Sequence, residues 1–329
     1  MTQTSHELRR QSEMTDPVAV VHQLQTPATS DIDSIDSIVK CWPGLFGLLY
    51  TRIFRVIELP GTPEEMLAFL ELEHIDGDIY RGGIGFWPDD RPAIYGGQVA
   101  AQALRAAGHT VPEGRLPHSL HGYFLRRGDI DAPVVFKVDR DRDGRSFSAR
   151  RVTAVQHGEV IWDMACSFAP PIDGAAEYAP EMNSRIASPE ACVLNQEDWC
   201  PLVEIRTAPH PEGRETPPRT NDRVWAKVRV PVPADPMLHA CLLAFAADIG
   251  AGFGDVAGPG IPLFGPSIDF SVWFHGSVNM NDWVLFESSA LKVGGHRGLY
   301  RSSAHSADGQ LVAMVSQEML LRPELASQY

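Results

Sequence analysis

Asp248 closes the segment 237–248, MLHACLLAFAAD, in which Met, Leu, Ala, Cys and Phe would surround nearly every side of a helix. A helix apolar all round is a buried one, and a carboxylate at its C-terminal end meets both desolvation and the negative pole of the dipole. Both effects raise its pKa and suit it to act as a base. The same spacing also fits a helix-terminal Asp that points into water. His118 and His121 flank a strand-like run, but neither has a carboxylate partner at a readable spacing. His118 stays a secondary candidate beside its reading as an ordinary strand residue. Arg126, Arg127, Arg150 and Arg151 could meet phosphates or line a solvated strand face. The run Gly250-Ala251-Gly252-Phe253-Gly254 resembles a dinucleotide loop, but its third glycine is misplaced and a helix precedes it. A loop that gates a pocket fits it better. The chain has no GxSxG elbow to hold a nucleophilic serine.

These residues sit in an acidic chain of 329 residues, long enough for two domains plus extensions. Its 44% hydrophobic and 21% charged residues are ordinary for a globular protein. A formal charge of −14 argues against nucleic acid as a partner, because phosphate contacts need a basic face. A small anionic substrate remains compatible, since charge repulsion is screened beyond roughly 8–10 Å at physiological salt. Five scattered cysteines without a CxxC pair predict a reducing compartment, no structural zinc and no metal site. No apolar run is long enough to span a bilayer, and neither a signal peptide nor a terminal Ser-Lys-Leu is present. The expected location is the cytoplasm, without stable membrane insertion.

Residues 1–61 read as a polar, partly disordered extension, with a more apolar stretch at 38–58 that either covers the body or lies on a surface. Thr62-Pro63-Glu64-Glu65 forms a capping box with Pro at the first helical position. A short strand follows at 75–82, then a small-residue helix at 95–108 opened by Gly96-Gly97. Strands are expected at 119–125, 133–140, 146–156 and 160–168, the last two around a His157-Gly158 turn. A linker occupies 171–200. A second series follows: strands at 203–206 and 224–230, the 237–248 helix, the 250–265 loop, and strands at 267–274, 283–292, 298–305 and 311–321 around Asp308-Gly309. Ala106-Ala107 match Ala246-Ala247, Tyr123-Phe124-Leu125 match Val272-Trp273-Phe274, and Gly158 matches Gly309. The order is that of an internal duplication. Each half is an α+β unit, a sheet wrapped on one buried helix.

Several separated motifs carry a family resemblance. YGGQVAAQAL, LPHSLHGYFLRRGD and DGRSFSARRVTAVQHGEVIWDMACSF resemble the N-terminal half of the acyl-CoA thioesterase II (TesB-type) family. LLAFAADIG, SIDFSVWFH, NDWVLFES and DGQLVAMVSQEMLLRP resemble its C-terminal half, and the likeness spans about residues 63–323. It implies a tandem (double) hot-dog, a long antiparallel sheet wrapped around two buried helices, with one unit over 62–170 and a second over 201–329. It also implies hydrolysis of acyl-CoA to CoA and a free fatty acid, without a cofactor. The family's Asp, hydroxyl residue and Gln fall on Asp248, Ser267 and Gln317, all in the second half. The first half carries Gly108 and Cys166 at the positions matching Asp248 and Gln317, which implies one active site.

For such chemistry Asp248 would take a proton from water, while Ser267 and Gln317 hold that water in line with the thioester carbon. Gly96 and Gly97, lacking a Cβ, could let backbone N–H groups approach the oxyanion, although a tight turn into the helix needs the same pair. His118 and Arg150 are the remaining substrate-binding candidates. Two alternatives stay open. A hot-dog hydratase or dehydratase needs an Asp/His pair, and no His lies within nine residues C-terminal to Asp248. A non-catalytic acyl-CoA binder would bind without turnover. Sheet edges predict a homodimer or larger symmetric oligomer.

Overall fold

The computed structural model describes residues 62–83, 93–171, 178–194, 200–213, 222–250, 252–256 and 265–322. All of them belong to one compact unit, 59–329. The expected extension 1–61 with its apolar stretch lies outside the described residues, as do 251 and 257–264 of the expected 250–265 loop.

The chain opens with α1 (Pro63–Phe69), where Thr62 Oγ1 accepts from the Glu65 N–H at 3.2 Å and Glu65 accepts from the Thr62 N–H at 2.9 Å. The capping box forms as its residues dictate. Next come β1 (Glu73–Asp76), β2 (Ile79–Gly82), α2 (Gly96–Gly108), β3 (Leu116–Phe124), β4 (Val134–Asp143), β5 (Ser148–Gln156) and β6 (Glu159–Ala169). After the connection lie β7 (Val193–Leu194), β8 (Val203–Thr207), β9 (Arg223–Val228), α3 (Pro236–Ala247), β10 (Asp269–Phe274), β11 (Val284–Gly294), β12 (Arg297–Ser306) and β13 (Leu311–Leu320).

Two expectations need correction here. The single strand at 75–82 is a hairpin, β1 turning into β2 through Gly77 at φ +51°, a left-handed backbone that favours glycine. The 171–200 stretch is not only linker. It carries a 3₁₀ turn at Pro189–Ala191 and the edge strand β7, which pairs with β8.

The strands form one antiparallel sheet in the order β1-β2-β4-β5-β6-β3-β10-β13-β12-β11-β9-β8-β7. Read outward from the β3–β10 seam, β6, β5, β4 and β2 on one side repeat as β13, β12, β11 and β9 on the other. This is the tandem hot-dog. His121 faces Ser271 near the middle of the seam. Arg150 faces Cys166 across β5–β6 as Tyr300 faces Gln317 across β12–β13. That register matches Tyr123 with Trp273 and Phe124 with Phe274, one residue away from the alignment expected from sequence. The difference matters, because a one-residue slip exchanges the faces of a strand.

Both helices lie in the core, and every residue of α3 from Leu238 to Ala247 is buried. They run antiparallel against each other. Tyr95, before α2, donates its hydroxyl to the Phe245 carbonyl near the end of α3 at 2.8 Å. At the other end Arg105 of α2 pairs with Asp235, the N-cap of α3, at 2.7 Å. Among the described residues no helix is long and apolar enough to cross a membrane.

Candidate functional site

Asp248 is the C-cap of α3, and the start of α2 lies against it. A Cβ on Gly96 would come 2.7 Å from Asp248 Oδ2, and one on Gly97 would come 2.5 Å from the Phe245 carbonyl oxygen. Glycine is therefore required for the end of α3 and the start of α2 to meet this closely. The Gly97 N–H donates to the Asp248 carboxylate. That N–H was a candidate oxyanion donor; here it serves the carboxylate instead.

Gln317 reaches the same point from β13. Its Nε2 donates to Asp248 Oδ1 at 2.6 Å and to Ser267 Oγ at 2.5 Å, so one amide bridges both side chains. Ser267 is held by an isolated bridge to Met319, just before β10. On the far side of the amide, Tyr300 of β12 donates to Gln317 Oε1 and lies 2.7 Å from the Gly250 carbonyl. An ionised carboxylate only accepts, so Asp248 fixes which end of the amide faces it and turns Oε1 towards Tyr300. Phe253 packs edge-on against the Tyr300 ring, with centroids 5.4 Å apart.

Gln317 and Tyr300 are each 1% exposed, whereas Asp248 and Ser267 are half-buried. The outer pair can thus meet a small molecule while the inner pair holds them. Burial pushes the Asp248 carboxyl up to about 6, against the lowering effect of the Gln317 and Gly97 hydrogen bonds. A carboxylate in that range is ionised at neutral pH yet basic enough to take a proton. Because Ser267 Oγ accepts from Gln317, its own hydroxyl proton remains to be donated.

The structure brings Asp248, Ser267, Gln317, Gly96 and Gly97 together. It does not bring His118 or Arg150 to them. His118 bonds Ser167 on β6 at 2.8 Å and packs edge-on against Phe147. The Arg150 side chain is fully buried, and its guanidinium donates to Thr110, Asp143 and the carbonyls of Arg142 and Ala149. It ties the end of α2 to the β4–β5 hairpin, so it is not available to substrate phosphates. Its neighbours Arg126 and Arg151 pair with Glu159 and Asp141. Among the described residues no group of three His, Cys, Asp or Glu is arranged to hold a metal ion.

Sequence reasoning missed Tyr300. The signal was there: counting back from the Asp308-Gly309 turn places Tyr300 opposite Gln317.

A family model described as the acyl-CoA thioesterase N-terminal domain matches residues 85–169, and one described as the acyl-CoA thioesterase C-terminal domain matches 176–321. Acyl-CoA thioesterase 2 of Haemophilus influenzae is 33% identical over 288 residues, covering 78% of this chain and 96% of that protein. Acyl-coenzyme A thioesterase 8 of Rattus norvegicus is 31% identical over 297 residues, covering 80% and 92%. The crystal structure of an acyl-CoA thioesterase II from Mycobacterium marinum is similar at 34% identity and a TM-score of 0.66, covering 78% of this chain and 98% of that one.

Proposed function

The chain belongs to the acyl-CoA thioesterase family, and from that premise we propose that it hydrolyses fatty acyl-CoA with Asp248, Ser267 and Gln317 as its catalytic residues. Asp248 takes a proton from a water molecule as that water attacks the thioester carbonyl carbon. The Ser267 hydroxyl donates a hydrogen bond to the same water and keeps its proton, and the Gln317 amide holds both side chains at the separation the water needs. The tetrahedral intermediate then collapses, the C–S bond breaks, and the CoA thiolate takes up the proton held by Asp248 to leave as CoA beside the free fatty acid. Positioning and proton transfer are the effects invoked, and general-base catalysis alone is worth roughly 10²–10⁴-fold.

The observation that carries this reading is the Gln317 Nε2 bridge, 2.6 Å to Asp248 and 2.5 Å to Ser267, at a carboxylate held near pKa 6. The test is CoA release, followed with a thiol reagent over a series of acyl chain lengths, for wild type and Asp248→Asn. Release by wild type and its loss in a folded mutant is the expected result. Tight binding of acyl-CoA by both proteins without any release would replace hydrolysis by a binding role. A second copy of the chain is the further partner in this reading. Among the described residues β1 and β7 end the sheet, and sheet ends favour pairing; sedimentation gives the mass in solution.

A further inference from the structure

The duplication gives every element of the catalytic corner a mate in the other half. The helix α2, opening at Gly96, corresponds to α3, opening at Pro236, and β3 corresponds to β10 across the seam where His121 faces Ser271. The two helices run antiparallel, so the mate of the corner is at their opposite ends, where α2 finishes and α3 starts. A cavity of about 370 Å³ lies against the start of α3, the start of β3 and the chain that follows β10, within the roughly 300–1,000 Å³ typical of small-molecule sites. Four of its lining residues have a counterpart at or beside the catalytic corner. Pro117 stands for Ser267, Pro236 for Gly96, Ala240 for Ala100, and Phe274 for Phe124, the ring that meets Gly96.

The strand-to-helix tie is also repeated. Arg150 donates to the Thr110 carbonyl, and the Tyr300 hydroxyl lies 2.7 Å from the Gly250 carbonyl; Thr110 follows α2 as Gly250 follows α3. What the second corner lacks is reactive groups. Gly108 replaces Asp248, and the Met237 thioether fills that space, 2.8 Å from where a Cβ would stand. Cys166 replaces Gln317 and Pro117 removes the hydroxyl. Two of its polar side chains are already engaged. His239 Nδ1 accepts from the Met280 N–H at 3.1 Å, and Asn281 exchanges hydrogen bonds with the Val232 backbone.

We infer that this cavity is a second, non-hydrolytic site for a linear acyl chain, presented by a free fatty acid or by acyl-CoA. The ligand class rests on the hydrolase reading above, since the cavity shares the Ser267, Gly96 and Phe124 positions of the catalytic corner without its reactive groups. Walls that are mostly apolar, with the His239 and Asn281 side chains already engaged, favour a methylene chain over a hydrogen-bonding ligand.

The experiment counts bound ligand per chain by equilibrium dialysis, with dodecanoate and with S-dodecyl-coenzyme A, a thioether that cannot be hydrolysed. Gly276 lies exposed at the rim of the cavity, and a Cβ there meets nothing closer than 3.8 Å, so Gly276→Trp obstructs the mouth without disturbing the core. Ala240→Leu fills the cavity from α3 as an independent variant. Wild type is expected to bind one equivalent more per chain than either variant. A difference with S-dodecyl-coenzyme A identifies acyl-CoA as a ligand; one with dodecanoate alone identifies the free acid. Equal stoichiometry in wild type and Gly276→Trp for both probes overturns the inference. CoA release from dodecanoyl-CoA, measured on the same wild-type and Gly276→Trp preparations, separates the two claims. Retained release with equal stoichiometry removes only the second site, whereas no release by wild type at any chain length removes the hydrolase reading.

Discussion

Gln317 and Asp248 are 69 residues apart in sequence, yet the Gln317 amide donates to the Asp248 carboxylate at 2.6 Å. The contact joins strand β13 to the end of helix α3. It lets a carboxylate that burial would neutralise remain an anion next to Ser267.

Removing that donor should change both rate and titration. In Gln317→Leu, Asp248 loses the hydrogen bond that lowers its pKa, so the acid limb of the pH–rate profile should move to higher pH. A hydrogen bond to a charged group is worth about 1.5–3 kcal/mol, so kcat/KM should fall by about 10- to 100-fold. Gln317→Glu should lose more, by setting a like charge against Asp248. Unchanged kinetics in either variant would remove the bridge from the mechanism.

The raised Asp248 pKa is also a statement about stability. Its folded value of about 6 exceeds the ordinary carboxyl value of 3.8, so the fold prefers the neutral acid. The cost of burying the anion is complete above the folded value and is relieved as pH falls from about 6 towards 4. Asp248→Asn should therefore be more stable than wild type at pH 8, by about 1–3 kcal/mol, with little difference at pH 4. Denaturant unfolding at the two pH values reads this directly. A mutant less stable than wild type at pH 8 would contradict it.

Gly96→Ala places a methyl group 2.7 Å from Asp248 Oδ2 and 2.9 Å from Phe124 Cζ. The carboxylate must shift, and misplacing a catalytic group by about 1 Å can cost 10²-fold in rate. The expected outcome is a drop of about that size in kcat, with a smaller change in Tm than Gly97→Ala, whose Cβ meets the Phe245 backbone carbonyl.

Tyr300→Phe tests the inner support. It removes the hydroxyl that fixes Gln317 Oε1 and approaches the Gly250 carbonyl. Leaving a buried acceptor unmatched costs about 1–3 kcal/mol. Chemical denaturation should show that loss, and kcat should fall while KM stays near wild type, because Tyr300 touches Gln317 rather than substrate. A change confined to KM would contradict a positioning role.

Much of this was legible in the chain because it rests on local chemistry. The Thr62 capping box, the His157-Gly158 turn with both residues at positive φ, and the all-apolar face of α3 each follow from a few adjacent residues. What was not legible depends on register and on partners far away in sequence. The Gly77 turn was absorbed into one apparent strand, and Tyr123 was aligned one residue from its true mate. Arg150 reads as a phosphate ligand or as part of a solvated strand face because its partners Thr110 and Asp143 meet it only after folding. Tyr300 stands in no motif that the sequence singles out, so only its place opposite Gln317 marks it.

The most direct test of Asp248 as the base is the pH dependence of kcat/KM for an acyl-CoA that wild type hydrolyses. A base at this position predicts a tenfold fall per pH unit below a break near pH 6, the value set by burial of Asp248, and a plateau above it up to about pH 8. A profile flat from pH 5 to 8, or one whose acid limb survives unchanged in the residual activity of Asp248→Asn, would contradict it.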